Sequence, residues 1–412
     1  RKTEMLSICI PSRNRSHHCV NTLVELSHHS MDDVEVIVVD NSDQPGKIVE
    51  GVRGRLNCVP MWLNIVAAKT PGQTMRMNWQ QALDESSGEW VTFIGDDDFV
   101  DPELAILLSR MSTHDKTVQF LGWETIKFNY PGVRDIPTNI KVSLHTNLLN
   151  LNEKHRNLSW QTIIDGTQKR PTSLFAPYHA AVRRDLIDRV VKEFSKTNEY
   201  FFHPNVDYVP GWFGLLLQSK GVYSRRPLSV SGVCAESNSA ATRSKDRHSE
   251  ALARYEQEAD LDSVCQTYGF EVNPGNSFSE HFHILTTDFI RYVNSPKIQL
   301  SGEYPSNLVD RCHKECLEIS NEESFNQRCD NVREFLSREF PDVLNDFKPT
   351  FPGTVSRESL MQGPDNERQA VYLLDFAFDD ENAGELYSYL TQFMMPISRL
   401  GTAQTIKNRN SV

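Results

Sequence analysis

The sequence lacks several patterns that define common classes of protein. No run of about 18 consecutive apolar residues occurs, so a membrane-spanning helix is not expected. Positive charge is in the minority, with 43 Lys and Arg against 55 Asp and Glu and a formal net charge of −12. Without a basic tract, such a chain is poorly suited to bind nucleic acid. The motifs G-x-G-x-x-G and G-x-x-x-x-G-K-[ST] are also missing, which argues against a dinucleotide or triphosphate held by backbone amides.

The cysteines give no sign of a disulfide or zinc framework. Eight of them are spread along 412 residues, a distribution typical of reduced thiols in the cytoplasm. Cys312 and Cys316 lack the C-x2-C spacing of a strong zinc motif and fit the core and surface of one helix better. The sequence shows no basic stretch followed by a short apolar segment, so a signal peptide is not expected. We therefore expect a cytoplasmic protein, with peripheral attachment at a membrane as the alternative location.

The first part of the chain alternates β-branched runs with stretches of helical spacing, which is the pattern of βαβ units. A length of 412 residues favours two domains. Beyond about residue 235, segments of helical spacing such as 307–319 and 325–340 predominate. We expect an α/β domain with a mostly parallel central sheet over residues 1–235, followed by a mainly α-helical accessory domain over residues 236–412.

Polar residues follow three of the predicted strands. Parallel α/β sheets bind their ligands outside the carboxyl ends of the strands, where loops and helix N-termini converge. We therefore expect the functional site among these residues. They are Pro11 to Arg15 after the first strand, Asp40 to Asp43 after the second, and Asp96 to Asp98 after the fourth.

The acidic triplet of Asp96, Asp97 and Asp98 is the clearest chemical signal in the sequence. Adjacent carboxylates after a buried strand repel one another unless a cation lies among them, and hard oxygen ligands select Mg²⁺ or Mn²⁺. The alternative is that Asp98 and Asp101 cap the helix that begins at Pro102 while the other acids are solvated. A calcium loop is not expected, because the alternating acids and central glycine of an EF-hand are missing.

Four segments in the first hundred residues share their order and spacing with a known family. They are 6–15 (LSICIPSRNR), 35–42 (EVIVVDNS), 75–78 (MRMN) and 88–98 (GEWVTFIGDDD). In this combination the chain resembles the family 2 glycosyltransferases of the GT-A fold, whose sheet is Rossmann-like. The resemblance continues more weakly to about residue 233 and does not include the helical C-terminal region.

The resemblance implies a metal-dependent transferase that uses a nucleotide sugar. Pro11 and Arg13 match positions that line the nucleobase. Asp40 and Asn41 match the family's paired acids after the second strand, although the second acid is an amide here. The carboxylates of the triplet match the ribose position (Asp96) and the DxD-type motif for Mn²⁺ or Mg²⁺ (Asp97 and Asp98).

Two further residues are candidates for the chemistry. Arg76, in the helix before the acidic strand, is expected to assist a cation in neutralising phosphate; the alternative is a solvated charge on that helix. Inverting members of the family place an acid at the start of a helix about a hundred residues after the metal motif, and Asp207 matches that position, with Val206 where a second acid is usual. The resemblance implies that Asp207 is the general base, and the alternative is that it only caps its helix.

The expected function is transfer of a sugar, with inversion, from a UDP-, GDP- or dTDP-sugar to a glycan, lipid-linked or protein acceptor, in a setting such as polysaccharide biosynthesis. A sugar-phosphate nucleotidyltransferase is one alternative, although the glycine-rich loop expected after its first strand is missing. A catalytically inactive glycan-binding or scaffold protein of the same fold is the other. A homo-oligomer formed through the C-terminal domain is a further possibility.

Overall fold

The structure is a computed structural model of the 412-residue chain. It describes residues 5–130, 148–167, 174–203, 205–237, 266–267, 286, 289–317, 322–353, 383–384, 387 and 397. The chain divides into two compact units, which are described separately. The first consists of Arg1–Glu153, Ser173–Asp260 and Gln369–Val412, and the second of Lys154–Thr172 and Leu261–Arg368. This division is not a single cut after residue 235, and the predicted domain boundary stays a prediction.

The first unit is built on one mixed sheet in the order β3-β2-β1-β4-β8-β6-β9-β5, with β7 paired to β9. The strands β1 to β4 at one side are all parallel, whereas β8 pairs antiparallel with both of its neighbours. This α/β architecture confirms the expected fold class. The strands are β1 (Leu6–Ser12), β2 (Val34–Asp40), β3 (Leu63–Ala67), β4 (Trp90–Phe93), β5 (Phe99–Val100), β6 (Val118–Asn129), β7 (Leu148–Leu151), β8 (Ala180–Arg183) and β9 (Lys220–Val233).

The helices of this unit connect the strands in the expected alternation. Hydroxyl capping starts one of them, since the side chain of Thr74 accepts a hydrogen bond from the backbone N–H of Met77. The spacing of apolar residues over 181–194 predicts one helix. This prediction is wrong in its first three residues, because they belong to strand β8 between β4 and β6. The helices are α1 (Ser16–Leu26), α2 (Lys47–Leu56), α3 (Met75–Asp84), α4 (Leu104–His114), α6 (Arg184–Phe194) and α7 (Val209–Leu216).

The register of the parallel strands brings their carboxyl ends to one edge. Ser12 at the end of β1 lies opposite Asp40 at the end of β2, and Cys9 lies opposite Phe93 at the end of β4. Nearly every residue of β1, β2 and β4 is buried, on both faces of the sheet, as is typical of parallel strands covered on two sides. The residues that follow these three strands therefore start from neighbouring positions.

Residues near the C-terminus complete the core of the first unit. The Tyr387 hydroxyl donates a hydrogen bond to Asp101 Oδ2 at 2.8 Å and accepts one from Arg226 Nη1 at 3.0 Å. Its ring lies 5.4 Å from that of Phe99, between ring centroids. Asp101, Arg226 and Tyr387 are buried polar side chains, and these hydrogen bonds provide them with partners.

The second unit is helical wherever it is described in regular structure. Its helices are α5 (Glu153–Ile164, of which Glu153 belongs to the first unit), α8 (Tyr304–Leu317), α9 (Glu322–Glu339) and a 3-10 helix (Pro341–Asp346). The helices predicted over 307–319 and 325–340 are thereby confirmed. Cys312, Cys316 and Cys329 are free thiols buried in the apolar core of this unit, which agrees with the packing role expected for this group.

Among the described residues, no helix is long and apolar enough to span a membrane.

Gly232 in β9 is required for the close approach of two backbones. Its N–H donates to Asp98 Oδ1 at 2.7 Å, and a Cβ atom added here would lie 1.9 Å from the carbonyl oxygen of Asp97. We predict that Gly232→Ala lowers the free energy of unfolding by about 1–3 kcal/mol, because either strand β9 or the acidic turn must shift. Urea unfolding measures this change.

The matched control is Gly54→Ala in the exposed part of α2, where an added Cβ meets nothing within 4 Å. This variant should be more stable than the wild type by about 0.5–1 kcal/mol, because alanine favours the helix. Equal stability of Gly232→Ala and the wild type would contradict the prediction.

Candidate active site

Three buried carboxylates form the centre of the site. Asp96, Asp97 and Asp98 follow β4 and precede β5, and none is more than 4 % exposed. Thr22 of α1 holds the turn, since its hydroxyl donates to the carbonyl oxygen of Asp98 at 2.9 Å. Burial of three adjacent acids is costly unless each finds partners, and the structure provides a different set for each.

Arg15 neutralises the first two acids. Its Nη2 lies 2.6 Å from Asp96 Oδ1 and its Nη1 lies 3.2 Å from Asp97 Oδ1. Burial opposes the charge on Arg15, but the two carboxylates outweigh it and raise its pKa, so the guanidinium stays charged. Burial raises the pKa of Asp96 to about 7, with Arg15 opposing the rise and Asp97 adding to it.

Asp98 accepts three hydrogen bonds and also lies beside the imidazole of His179. Its Oδ2 accepts from the Gly95 N–H at 2.6 Å and the Tyr178 hydroxyl at 3.0 Å, and it lies 3.0 Å from His179 Nε2. Its Oδ1 accepts from the Gly232 N–H. Burial raises the pKa of Asp98, but His179 and the two backbone N–H groups outweigh that effect, and the net pKa lies below the usual value.

The residues predicted to bind the nucleoside lie at the ends of β1 and β2. Asp40 is turned inward, where its carboxylate accepts from the N–H groups of Ser42 and Gly46, both at 3.1 Å. Asn41 is 3 % exposed and donates to the carbonyl oxygen of Gln73 at 2.7 Å. Its Oδ1 is buried and has no hydrogen-bond partner among the residues described, so a buried acceptor is left for an outside N–H or O–H group.

Pro11 and Arg13, which are expected to line the nucleobase, lie at the end of β1 and in the loop after it. Pro11 is partly buried within β1. Arg13 is about one third exposed and lies 3.9 Å from Asp43. Asn14, in a left-handed conformation with φ of 59°, links the two loops by exchanging hydrogen bonds with Asp43. The loops after β1 and β2 are thus held against each other at the edge of the sheet.

Asp207 lies in the turn before α7 rather than inside the helix. The helix begins at Val209, and the residue in the N-cap position is Tyr208, which makes no capping side-chain hydrogen bond. Burial raises the pKa of Asp207 to about 6, with His179 lowering it and Asp98 raising it. Asp207 is therefore electrostatically coupled to the corner that holds the acidic triplet, and these observations do not favour the alternative in which it only caps its helix.

Arg76 is held by the segment around residue 200 in this structure. Its Nη1 lies 2.6 Å from Glu199 Oε2 and donates to the carbonyl oxygen of Phe201 at 3.3 Å. Gln80, one turn further along α3, accepts from the N–H groups of Tyr200 and Phe201. Arg76 thus anchors the segment that leads to Asp207, and its predicted contact with a diphosphate stays a prediction.

The donor set suits a hard divalent cation at Asp97 better than at Asp98. An ionised carboxylate offers about four lone pairs to donors or to a metal. Asp97 uses two of them, for Arg15 and for the Cys234 N–H at 3.1 Å. Asp98 already has four partners and would have to release one to coordinate an ion. The oxygen chemistry of Asp97 fits Mg²⁺ or Mn²⁺.

Several residues of this corner could not be selected from the sequence. Arg15 lies in the loop that the sequence identified, but its spacing does not distinguish it from Arg13. Tyr178 and His179 are about 80 residues from Asp98 and follow no motif. His179 adopts a left-handed conformation with φ of 49° just before β8, and a single sequence gives no signal for such a residue.

Residues 7–191 match the family described as Glycosyl transferase family 2. This part of the chain is therefore similar to a glycosyltransferase family 2 domain, which confirms the resemblance seen in the sequence. The match includes β1 to β4 and the acidic triplet and ends within α6. It does not extend to the C-terminal region, and no curated protein matches the chain.

Solved structures similar to the chain include S. aureus TarS 1-349, at 15% identity and a TM-score of 0.39, covering 83% of this chain and 89% of that one. Another is the mannosyltransferase PcManGT from Pyrobaculum calidifontis in complex with GDP-Man and Mn²⁺, at 13% identity and a TM-score of 0.37, with 83% of each chain covered. Similarities of this size do not bear on the donor or acceptor of the present chain.

The pairing of Arg15 with the acids can be tested by its removal. We predict that Arg15→Met lowers the free energy of unfolding by about 3–5 kcal/mol, because two buried carboxylates lose their counter-ion. Without Arg15 the pKa of Asp96 in the folded chain rises further above its value in the unfolded chain. A raised folded pKa costs more stability as pH increases, so the loss should be larger at pH 8 than at pH 5, as measured by urea unfolding.

Arg13→Met is the control for this variant. The Arg13 side chain is about one third exposed and lies 3.9 Å from an exposed partner, Asp43, so its loss should cost less than about 1 kcal/mol. An equal decrease in the free energy of unfolding for the two variants would contradict the assigned pairing. So would a decrease for Arg15→Met that does not change with pH.

Proposed function

We propose that this domain transfers a sugar from a nucleotide-sugar donor to a hydroxyl acceptor with inversion at the anomeric carbon. The observation that carries the proposal is a buried acidic triplet whose member Asp98 acts electrostatically on a second carboxyl group, Asp207, whose pKa burial raises to about 6. The family 2 match over residues 7–191 supports the class of reaction.

The donor side of the proposal rests on the ends of β1 and β2. The unpartnered Oδ1 of Asn41 is suited to accept a hydrogen bond from a base N–H or a ribose hydroxyl. Pro11 and Arg13 would line the base, Asp40 would keep the loop in shape through Ser42 and Gly46, and Asp96 would face the ribose. The donor would be a UDP-, GDP- or dTDP-sugar.

The metal would be held by Asp97, with Asp98 as a second ligand only if it exchanges one of its present contacts. When bound, a divalent ion supplies positive charge that stabilises the departing diphosphate. Arg76 would assist at the diphosphate after release from Glu199. The ion would be Mn²⁺ or Mg²⁺, as the oxygen donors favour.

The acceptor side depends on Asp207. A carboxylate with a pKa near 6 is ionised at neutral pH and more basic than an ordinary aspartate, which suits a general base. In a single displacement, Asp207 takes the acceptor proton while the acceptor oxygen bonds to the anomeric carbon and the bond to the diphosphate breaks. The single step inverts the configuration, by the same logic that governs inverting glycosidases.

Asp207→Asn tests the assignment of the base. We predict that turnover falls by about 10²–10⁴-fold, whereas binding of the nucleoside diphosphate is retained. The assay incubates the protein with Mn²⁺ and a panel of UDP-, GDP- and dTDP-sugars and follows release of the nucleoside diphosphate. Calorimetry with UDP and GDP measures binding separately.

Asp185→Asn is the matched control, because Asp185 also lies at the start of a helix, α6, but is exposed and paired with Arg183. Its turnover should equal that of the wild type. Wild-type turnover in Asp207→Asn would remove the proposed base. Release of pyrophosphate from a nucleoside triphosphate and a sugar phosphate would instead identify a nucleotidyltransferase.

The pH profile gives a second test. The base must be deprotonated to accept a proton, so kcat/KM should be low at pH 5 and rise through an apparent pKa of about 6 towards pH 7. The residual activity of Asp207→Asn should lack this rise, because the titrating carboxyl group is gone. A wild-type profile that is flat between pH 5 and 7 would contradict the assignment.

A further inference from the structure

A cluster of three different metal-ligating side chains lies beside the acidic triplet. It consists of His18 in α1 and of Cys234 and Glu236, which follow β9. One ligand atom from each residue can be chosen so that all three lie within 4.8 Å of one another. His18 and Cys234 are buried, whereas the Glu236 side chain is 57 % exposed. The cluster therefore has a closed side in the protein and an open side towards solvent.

The imidazole of His18 is poorly satisfied for a buried polar group. The residue is 4 % exposed, and its Nδ1 is buried without a hydrogen-bond partner among the described residues. Its Nε2 lies 3.8 Å from Glu236 Oε2, which is too long for a hydrogen bond. A neutral imidazole with an unshared nitrogen lone pair is the form of histidine that binds metals.

The donor atoms differ from those of the triplet. One nitrogen, one sulfur and one carboxylate oxygen are the ligand types that Zn²⁺ takes in proteins, and three protein ligands with one open position are typical of its non-structural sites. Soft thiolate ligation does not suit Mg²⁺ or Mn²⁺, which prefer oxygen. We propose that His18, Cys234 and Glu236 form a binding site for a divalent ion of the zinc class, separate from the hard-metal position at Asp97.

The charges at the proposed site balance when the ion is bound. Coordination replaces the S–H proton of Cys234 with the metal, and the proton leaves to solvent. The resulting thiolate and the Glu236 carboxylate together neutralise the two charges of the ion, with His18 neutral. Arg15 lies 3.7 Å from the Cys234 sulfur, but its charge is already matched by Asp96 and Asp97.

An ion at this position would act on the neighbouring acids through the backbone. The Cys234 N–H donates to Asp97 Oδ2 at 3.1 Å. By tying Cys234 and Glu236 to α1, the ion would fix the segment that supplies this hydrogen bond. The inference does not depend on the proposed transfer reaction, since the site is defined without a donor or an acceptor.

Cobalt titration tests the site directly. Co²⁺ added to the metal-free protein should produce, at one ion per chain, a thiolate-to-cobalt charge-transfer band in the near ultraviolet and the visible bands of a tetrahedral ion, and Zn²⁺ should remove both. Cys234→Ser should abolish the charge-transfer band. Cobalt bound to oxygens at Asp97 has no such band, so the two positions are distinguished.

Cys58→Ser is the control, because Cys58 is an exposed free thiol elsewhere in the same unit, and its spectrum should match the wild type. Glu236→Gln alters an exposed side chain and leaves the fold intact, and it should weaken Co²⁺ binding by at least about tenfold. An absent charge-transfer band in the wild type, or a band that persists in Cys234→Ser, would overturn the proposal. Unchanged affinity in Glu236→Gln would remove that residue from the site.

Discussion

The burial of three consecutive aspartates is the constraint on which the first unit depends. A buried carboxylate without partners is strongly unfavourable, and three in succession also repel one another. The structure meets this demand with elements distant in sequence: Arg15 from the loop after β1, His179 from before β8, and the backbone of Gly232 and Cys234 at the end of β9. The acidic turn thereby connects strands that the sheet places on both sides of β4.

The three acids have different environments, and they therefore differ in pKa and in the lone pairs that they can offer to a ligand. Asp98 accepts three hydrogen bonds and pairs with His179, so that few of its lone pairs stay available. Asp97 has two partners, Arg15 and the Cys234 N–H, and keeps lone pairs available, whereas Asp96 has a raised pKa beside Arg15. Identical side chains at adjacent positions are thus assigned different chemistry by their neighbours, as happens where paired acids take separate roles.

The sequence was sufficient where a local pattern decides the structure. The β-branched runs predicted β1, β2 and β4, and their polar ends located Asp40 and the acidic triplet at one edge. The sequence was insufficient where contacts between residues far apart in the chain decide the structure. Arg76 pairs with Glu199, 123 residues away, and no local pattern encodes that choice. Helix α2 was not predicted, because it follows Gly46 without a capping side chain and contains Gly51 and Gly54. The roles proposed for Asp207 and Asp97 rest on family resemblance and geometry together.

The placement of Tyr387 against Phe99, Asp101 and Arg226 has a consequence for biosynthesis. Residues that follow the second unit in the sequence complete a core whose other members emerge from the ribosome far earlier. Until Tyr387 has left the exit tunnel, the Asp101 carboxylate and the Arg226 guanidinium lack the hydroxyl that joins them. The nascent first unit must therefore wait for the whole second unit to be translated before its own interior can close.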